Sequence, residues 1–230
     1  MADLADDLMI KPSVPIRQKV YDFLRNEILS NHIAAGERLV EGRLAVEINV
    51  SRTPIREALH ILEMEGLIES LPRVGYRVKE MQWADVEELC EIRAVNEILA
   101  ARWAMKRIAP QELAAMKANI DAAEAEIQAG QPKRFVERDA EFHEMLVTAS
   151  GSQRLLELCQ KLRHHMLRYR VESLYVAEAG FRAVKGHRRI ITCLENKDDI
   201  GIAAAVRDHL AQSKRDIRRF AFEMKTAGRV

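Results

Sequence analysis

Val50-Ser51-Arg52-Thr53-Pro54-Ile55-Arg56-Glu57-Ala58-Leu59 reads as the start of a helix with an unusual outer face. Ser51 or Thr53 offers a capping hydroxyl, and Pro54 falls in the first turn, where a missing amide costs no helical hydrogen bond. Ile55, Leu59 and Leu62 recur at helical spacing and mark the inward side of a helix over Ser51–Met64, which Gly66 stops. Arg52 and Arg56 are four residues apart, so both guanidinium groups leave one face near the positive end of the helix dipole. Such a pair makes a poor core. It suits an anion or the edge of a base.

Working outward, Ile16, Val20, Phe23, Leu24 and Ile28 set a first helix over Ile16–Ser30. Ala35-Gly36-Glu37 is a turn, Arg38-Leu39-Val40 a short extended piece, and Gly42–Ile48 a second helix that Asn49 can end in the left-handed conformation. Leu67–Leu71 and Gly75–Lys79 read as two strands joined at Pro72-Arg73-Val74. Helix, turn, helix and then a hairpin carrying Arg73 and Arg77 is the order of a winged helix-turn-helix, expected over residues 14–79. Residues 1–13 are expected to form a disordered arm.

Beyond Trp83 the pattern is helical throughout. Pro110, Gly130-Gln131-Pro132, Ser150-Gly151-Ser152 and Asn196-Lys197-Asp198 punctuate it. The breaks predict helices near Trp83–Arg107, Pro110–Ala129, Pro132–Ala149, Gln153–Ser173 and Glu178–Glu195, with a last one running to Lys225. The expected fold is therefore mainly α: the winged unit followed by an all-α antiparallel bundle of six helices over residues 83–226.

Composition narrows the function. The net charge is +1, and residues 14–80 hold ten Lys/Arg against ten Asp/Glu. Any DNA binding must therefore come from a few well-placed arginines. Hydrophobic content of 48% with 31% charged residues is ordinary for a globular protein. No apolar run approaches the ~20 residues that span a bilayer. The acidic N-terminus lacks the pattern of a signal peptide, so the expected place is the cytoplasm, with no membrane partner. Cys90, Cys159 and Cys193 lie in apolar helical patterns and are expected to be buried free thiols.

In the helical part, Asp139 and His143 share one helix face, flanked by Phe135, Val136, Phe142 and Leu146. His187 lies on the stripe Ala183, Val184, Ile190, Ile191, Leu194, and His209 follows Ile202 and Val206. Three helices thus each send a ligand-type group inward. A single inward histidine is more often a hydrogen-bonded core residue than a ligand. A carboxylate buried beside one is costly without a cation. Arg93 is expected to point inward too, either pairing with Glu97 at i+4 or clamping a ligand carboxylate.

The sequence resembles the GntR family of bacterial transcription regulators, in the FadR-like subgroup whose second domain is called FCD. The resemblance rests on Gly36-Glu37-Arg38-Leu39, Val50–Leu59, Leu62-Glu63-Met64-Glu65-Gly66-Leu67-Ile68, Glu91-Ile92-Arg93 with Glu97, Asp139-Ala140-Glu141-Phe142-His143 and Ala149–Ser152. It covers nearly the whole chain after residue 14. In FCD domains a matching Asp and three His bind a divalent metal, commonly zinc, nickel or manganese. That implies Asp139, His143, His187 and His209 as ligands here, with Arg93 on a small organic acid.

The resemblance also implies a homodimer on a pseudo-palindromic double-stranded operator, acting as a repressor controlled by that acid. Arg52, Arg56, Thr53 and Ser51 are expected at the DNA, with Arg73 and Gly75 in the wing, Gly75 permitting close backbone approach. There is one departure. The family usually has Arg directly after the Glu that opens the second helix, whereas Glu41 is followed by Gly42 and the Arg stands at 43. A one-residue shift turns a side chain about 100° around a helix, which ranks Arg43 below Arg52 and Arg56. The rival reading is a metal-dependent enzyme using the same Asp/His cluster. It leaves the Arg-bearing helix and basic wing without a purpose, so no enzyme is expected. A third reading is a DNA binder whose bundle only dimerises.

Overall fold

The computed structural model describes residues 14–29, 32–80 and 82–223. The expected N-terminal arm, and the last residues of the helix expected to reach Lys225, lie outside them. The chain divides into two units, Met1–Glu80 and Met81–Val230.

In the first unit α1 (Ile16–Leu29), α2 (Glu41–Glu47) and α3 (Arg52–Met64) pack over a small sheet of β1 (Arg38–Leu39), β2 (Ile68–Leu71) and β3 (Gly75–Val78). The sheet is antiparallel in the order β1-β3-β2, with Leu39 opposite Tyr76 and Ile68 opposite Val78. The piece Arg38-Leu39-Val40, read from sequence as merely extended, thus closes the wing as a third strand. Leu24, Ile55, Ala58, Leu59, Leu62 and Ile68 are fully buried and form the core. Phe23, expected on the inward stripe of α1, is instead half exposed, because the buried line of that helix is Val20 and Leu24. Asn49 ends the α2 turn at φ 57° and Gly66 follows α3 at φ 72°, as the sequence suggested.

Among the described residues the second unit is six α-helices: α4 (Trp83–Arg107), α5 (Pro110–Gln128), α6 (Pro132–Thr148), α7 (Gln153–Leu174), α8 (Ala177–Asn196) and α9 (Asp199–Ile217). A π-helical turn, Arg218–Glu223, continues α9. Proline opens α5 and α6, where no amide is lost. Lys197 turns the chain at φ 51°, and the Asp198 carboxylate accepts the Gly201 amide to cap α9. Phe135, Phe142, Leu146, Met116, Ile120 and Val206 are among the buried side chains that join α5, α6, α8 and α9. Cys90, Cys159 and Cys193 are free and buried. No helix among the described residues is long and apolar enough to cross a membrane.

Candidate functional site

Arg52, Thr53 and Arg56 are exposed on α3. Ser51 occupies the N-cap position with extended backbone, but its hydroxyl makes no capping hydrogen bond. The capping role read from sequence is therefore absent at Ser51. Arg56 is held by Glu41, the first residue of α2, through Nε and Nη2 at 2.8–3.1 Å. That hydrogen bond keeps the Glu41 carboxyl below its ordinary range.

The departure at position 42 has a structural counterpart. The Arg52 guanidinium lies beside Gly42, where a Cβ would come 3.4 Å from Nη2. Arg43, one residue on, turns to Glu47 at 2.7 Å along its own helix. Glycine at 42 thus leaves the start of α2 open to Arg52.

In the wing, Arg73 is exposed at the hairpin tip with φ 65°. Arg77 faces Glu69 across the strand pair and bonds it at 2.8 Å, so it serves the sheet. Gly75 was expected to allow close approach to a ligand. The approach it makes is internal: at φ 118°, a Cβ there would stand 2.6 Å from the Leu39 carbonyl oxygen. Any larger residue would push β1 off β3.

In the helical unit, α6, α8 and α9 converge on His143, His187 and His209. All three are buried, and one ring nitrogen from each lies within 4.8 Å of the other two. His187 stacks on Phe142 at 3.9 Å between centroids. Gly186 lets α9 come close: a Cβ there would be 2.5 Å from His209 Nδ1. The Nε2 atoms of all three histidines are buried with no hydrogen-bond partner. Each such orphan costs about 1–3 kcal/mol, and together they are the lone pairs a metal ion takes. Burial, reinforced by neighbouring positive charge, holds His187 and His209 well below the ordinary histidine pKa, so both present neutral donors. Three convergent imidazoles, those of His187 and His209 held neutral, fit a divalent ion.

Asp139, expected as the fourth ligand, is buried beside the three histidines and paired with Arg170. Its carboxylate accepts from Arg170 Nη2 at 3.2 Å and stands 3.7 Å from His187 Nε2. Arg170, on α7, was not singled out from sequence. The Met166, Tyr169, Arg170, Ser173 line of buried positions is the signal that could have found it. For Asp139, burial pushes the carboxyl pKa up, but Arg170 and the histidines outweigh that and lower it.

Arg93 is buried and pairs with Glu97 through Nε at 2.9 Å, while its Nη1 has no partner. Glu97 lies 3.1 Å from His143 Nδ1, the arrangement in which a carboxylate orients a metal-binding imidazole from behind. Burial again opposes ionisation of Glu97, but Arg93 and His143 hold its pKa well below the usual range.

The comparisons with known proteins agree with this organisation. Residues 16–78 match the family model "Bacterial regulatory proteins, gntR family", and residues 88–212 match the model of the FCD domain. The chain is 28% identical over 217 residues to the HTH-type transcriptional repressor RspR of Escherichia coli K12, covering 94% of this chain and 95% of that protein. It is 34% identical over 136 residues to the Nta operon transcriptional regulator of Aminobacter aminovorans, covering 58% and 63%. The solved structure of E. coli McbR/YncC superposes with a TM-score of 0.72 at 22% identity, over 90% of this chain and 99% of that one, and shares its fold. RspR and the Nta protein are named as regulators, and with the two family matches this decides against the enzyme reading.

Proposed function

The chain belongs to the GntR family of bacterial transcription regulators, in the branch with an FCD domain, and from that premise we propose a homodimeric repressor released from its operator by a small carboxylate. The repressor assignment draws on the named repressor at 28% identity. In this reading Arg52 and Arg56 enter the major groove and read guanine edges or hold phosphates, with Thr53 beside them. Arg56 would exchange Glu41 for DNA, and Arg52 would reach it from above Gly42. Arg73, at the wing tip, would approach the minor groove, whereas Arg43 would stay with Glu47.

The observation that carries the sensing role is the set of orphaned donors around the three histidines. His143, His187 and His209 would hold the ion, zinc, nickel or manganese, and Asp139 lies close enough to join them if Arg170 released it. A bound divalent ion would supply open coordination positions for a carboxylate. The buried charges of Arg93 and Arg170 are already balanced by Glu97 and Asp139. A divalent cation would therefore leave an uncompensated buried charge, which a carboxylate ligand neutralises. The free Nη1 of Arg93 and Nε of Arg170 are donors in waiting. The crevice reaching Arg170 and His209 holds only about 10 Å³, so in this reading an acid entering there would part α7, α8 and α9. Ligand binding is thereby coupled to helix position, and reciprocally so.

Fluorescence anisotropy on an operator selected from genomic DNA tests this reading. Metal-loaded protein should be released by at least one acid from a panel such as lactate, pyruvate, malate and citrate, and a chelator should abolish the release. A panel that alters neither operator binding nor thermal midpoint would overturn it.

A further inference from the structure

Helix α7 packs on α4 and α6 with a line of side chains at three- and four-residue steps: Cys159, Arg163, Met166, Arg170 and Ser173. All are buried except Arg163, whose side chain is still only 12% exposed. Two arginines on such a line are costly to keep from water unless something pairs with them. Each meets a carboxylate of α6. Arg170 holds Asp139 at 3.1 Å, and Arg163 reaches Glu144 at 3.2 Å. Asp139 and Glu144 are five residues apart, so the two pairs stand about 7.5 Å from each other along α6.

The pairs are unlike. Asp139 is buried, whereas the Glu144 side chain is 51% exposed and also accepts from Gln160 at 3.0 Å. A carboxylate standing in water offsets a buried cation weakly. Arg163 Nη1 is buried with no hydrogen-bond partner. Burial lowers the Arg163 pKa, and Glu97 supports its charge ahead of Glu144. The guanidinium therefore faces the inner carboxylate, which also serves Arg93 and His143. In the helical unit three arginines among the described residues, Arg93, Arg163 and Arg170, keep a buried nitrogen unpartnered.

Arg93 and Arg170 are offset by Glu97 and Asp139. Arg163 is a further cation, and a divalent ion at the histidines would add two positive charges. One ligand carboxylate removes only one of these. Its oxygens, shared with the ion, also leave donors at the far pair unmet. We propose that the effector is a dianion, with one carboxylate at the histidine centre and a second anionic group, carboxylate or phosphate, held by Arg163 together with Arg93. The proposal rests on the metal-bound acid read above and adds the charge of the ligand and the residue that reads it.

Isothermal titration calorimetry on the metal-loaded full chain tests this with acids paired to differ by one anionic group: lactate and malate, butyrate and glutarate, glycerate and 3-phosphoglycerate. In at least one pair the dianion should bind about tenfold tighter than its mate. A preference in the first two pairs assigns a second carboxylate, and one confined to the third assigns a phosphate. Arg163→Gln should bring the ratio to about one, with monoacid affinity, metal content and helical circular dichroism unchanged. Arg163→Lys, which keeps the charge, should retain part of the preference. If no acid of the panel binds, the carboxylate reading falls and the dianion with it. If every monoacid binds as tightly as its mate, the dianion alone falls. A preference that survives in Arg163→Gln would remove Arg163 as its reader.

Discussion

Arg56 on α3 grips Glu41 on α2 through two nitrogens, at 2.8–3.1 Å, on the same surface where Arg52 lies beside Gly42. Two cations that share one face are thus held differently, one by a carboxylate and one by open space.

That difference ranks the arginines. Arg52→Ala and Arg56→Ala should each weaken operator binding by about 1–3 kcal/mol per half-site. Arg43→Ala, whose side chain is turned to Glu47, should cost less than either. A titration at fixed salt that put Arg43 first would remove the ranking.

Gly186 should tolerate nothing larger. Gly186→Ala sets a methyl 2.5 Å from His209 Nδ1, and relieving that overlap must displace the imidazole or separate α8 from α9. Overpacking of this kind costs about 1–3 kcal/mol. Urea unfolding should show the loss, with weaker metal binding beside it. Unchanged stability together with unchanged metal affinity would mean that the two helices do not approach as described.

Burial pushes the Cys159 thiol up to about 11 and raises the Cys90 and Cys193 thiols as well. The thiolate is the reactive form. At pH 9 a thiol with the ordinary pKa of 9.0 is half ionised, whereas Cys159 should be about 1% thiolate, and its reactivity should climb steeply towards pH 11. Iodoacetamide labelling followed by mass spectrometry should find Cys159 protected in native protein at pH 8 and all three cysteines modified in urea. Rapid native labelling of Cys159 would contradict its burial.

Much of this architecture was legible in the sequence because the signals are local. Pro110, Pro132, Gly151 and Lys197-Asp198 punctuate the bundle chemically, and the helices begin and end beside them. The inward positions of Arg93, His143, His187 and His209 follow from a 3.6-residue period. What depends on a distant partner was not legible. Two residues, Arg38-Leu39, become a strand only because β3 pairs with them. Phe23 shares a helical stripe with Leu24 yet meets no neighbour that buries it. Asp139 turns to Arg170, 31 residues further on, and Gly75 is needed by Leu39 of its own chain. Arg56 finds Glu41 across 15 residues, a pairing that depends on how α2 crosses α3.

The metal content of the purified chain addresses the sensing site most directly. After reconstitution with zinc, nickel or manganese and dialysis, elemental analysis should find about one divalent ion per chain. His187→Ala combined with His209→Ala should abolish it with helical circular dichroism intact, while His164→Ala, at an exposed position of α7, should retain it. A wild-type chain that holds none of these ions, or a double variant that holds them as well as wild type does, would contradict a metal centre at His143, His187 and His209.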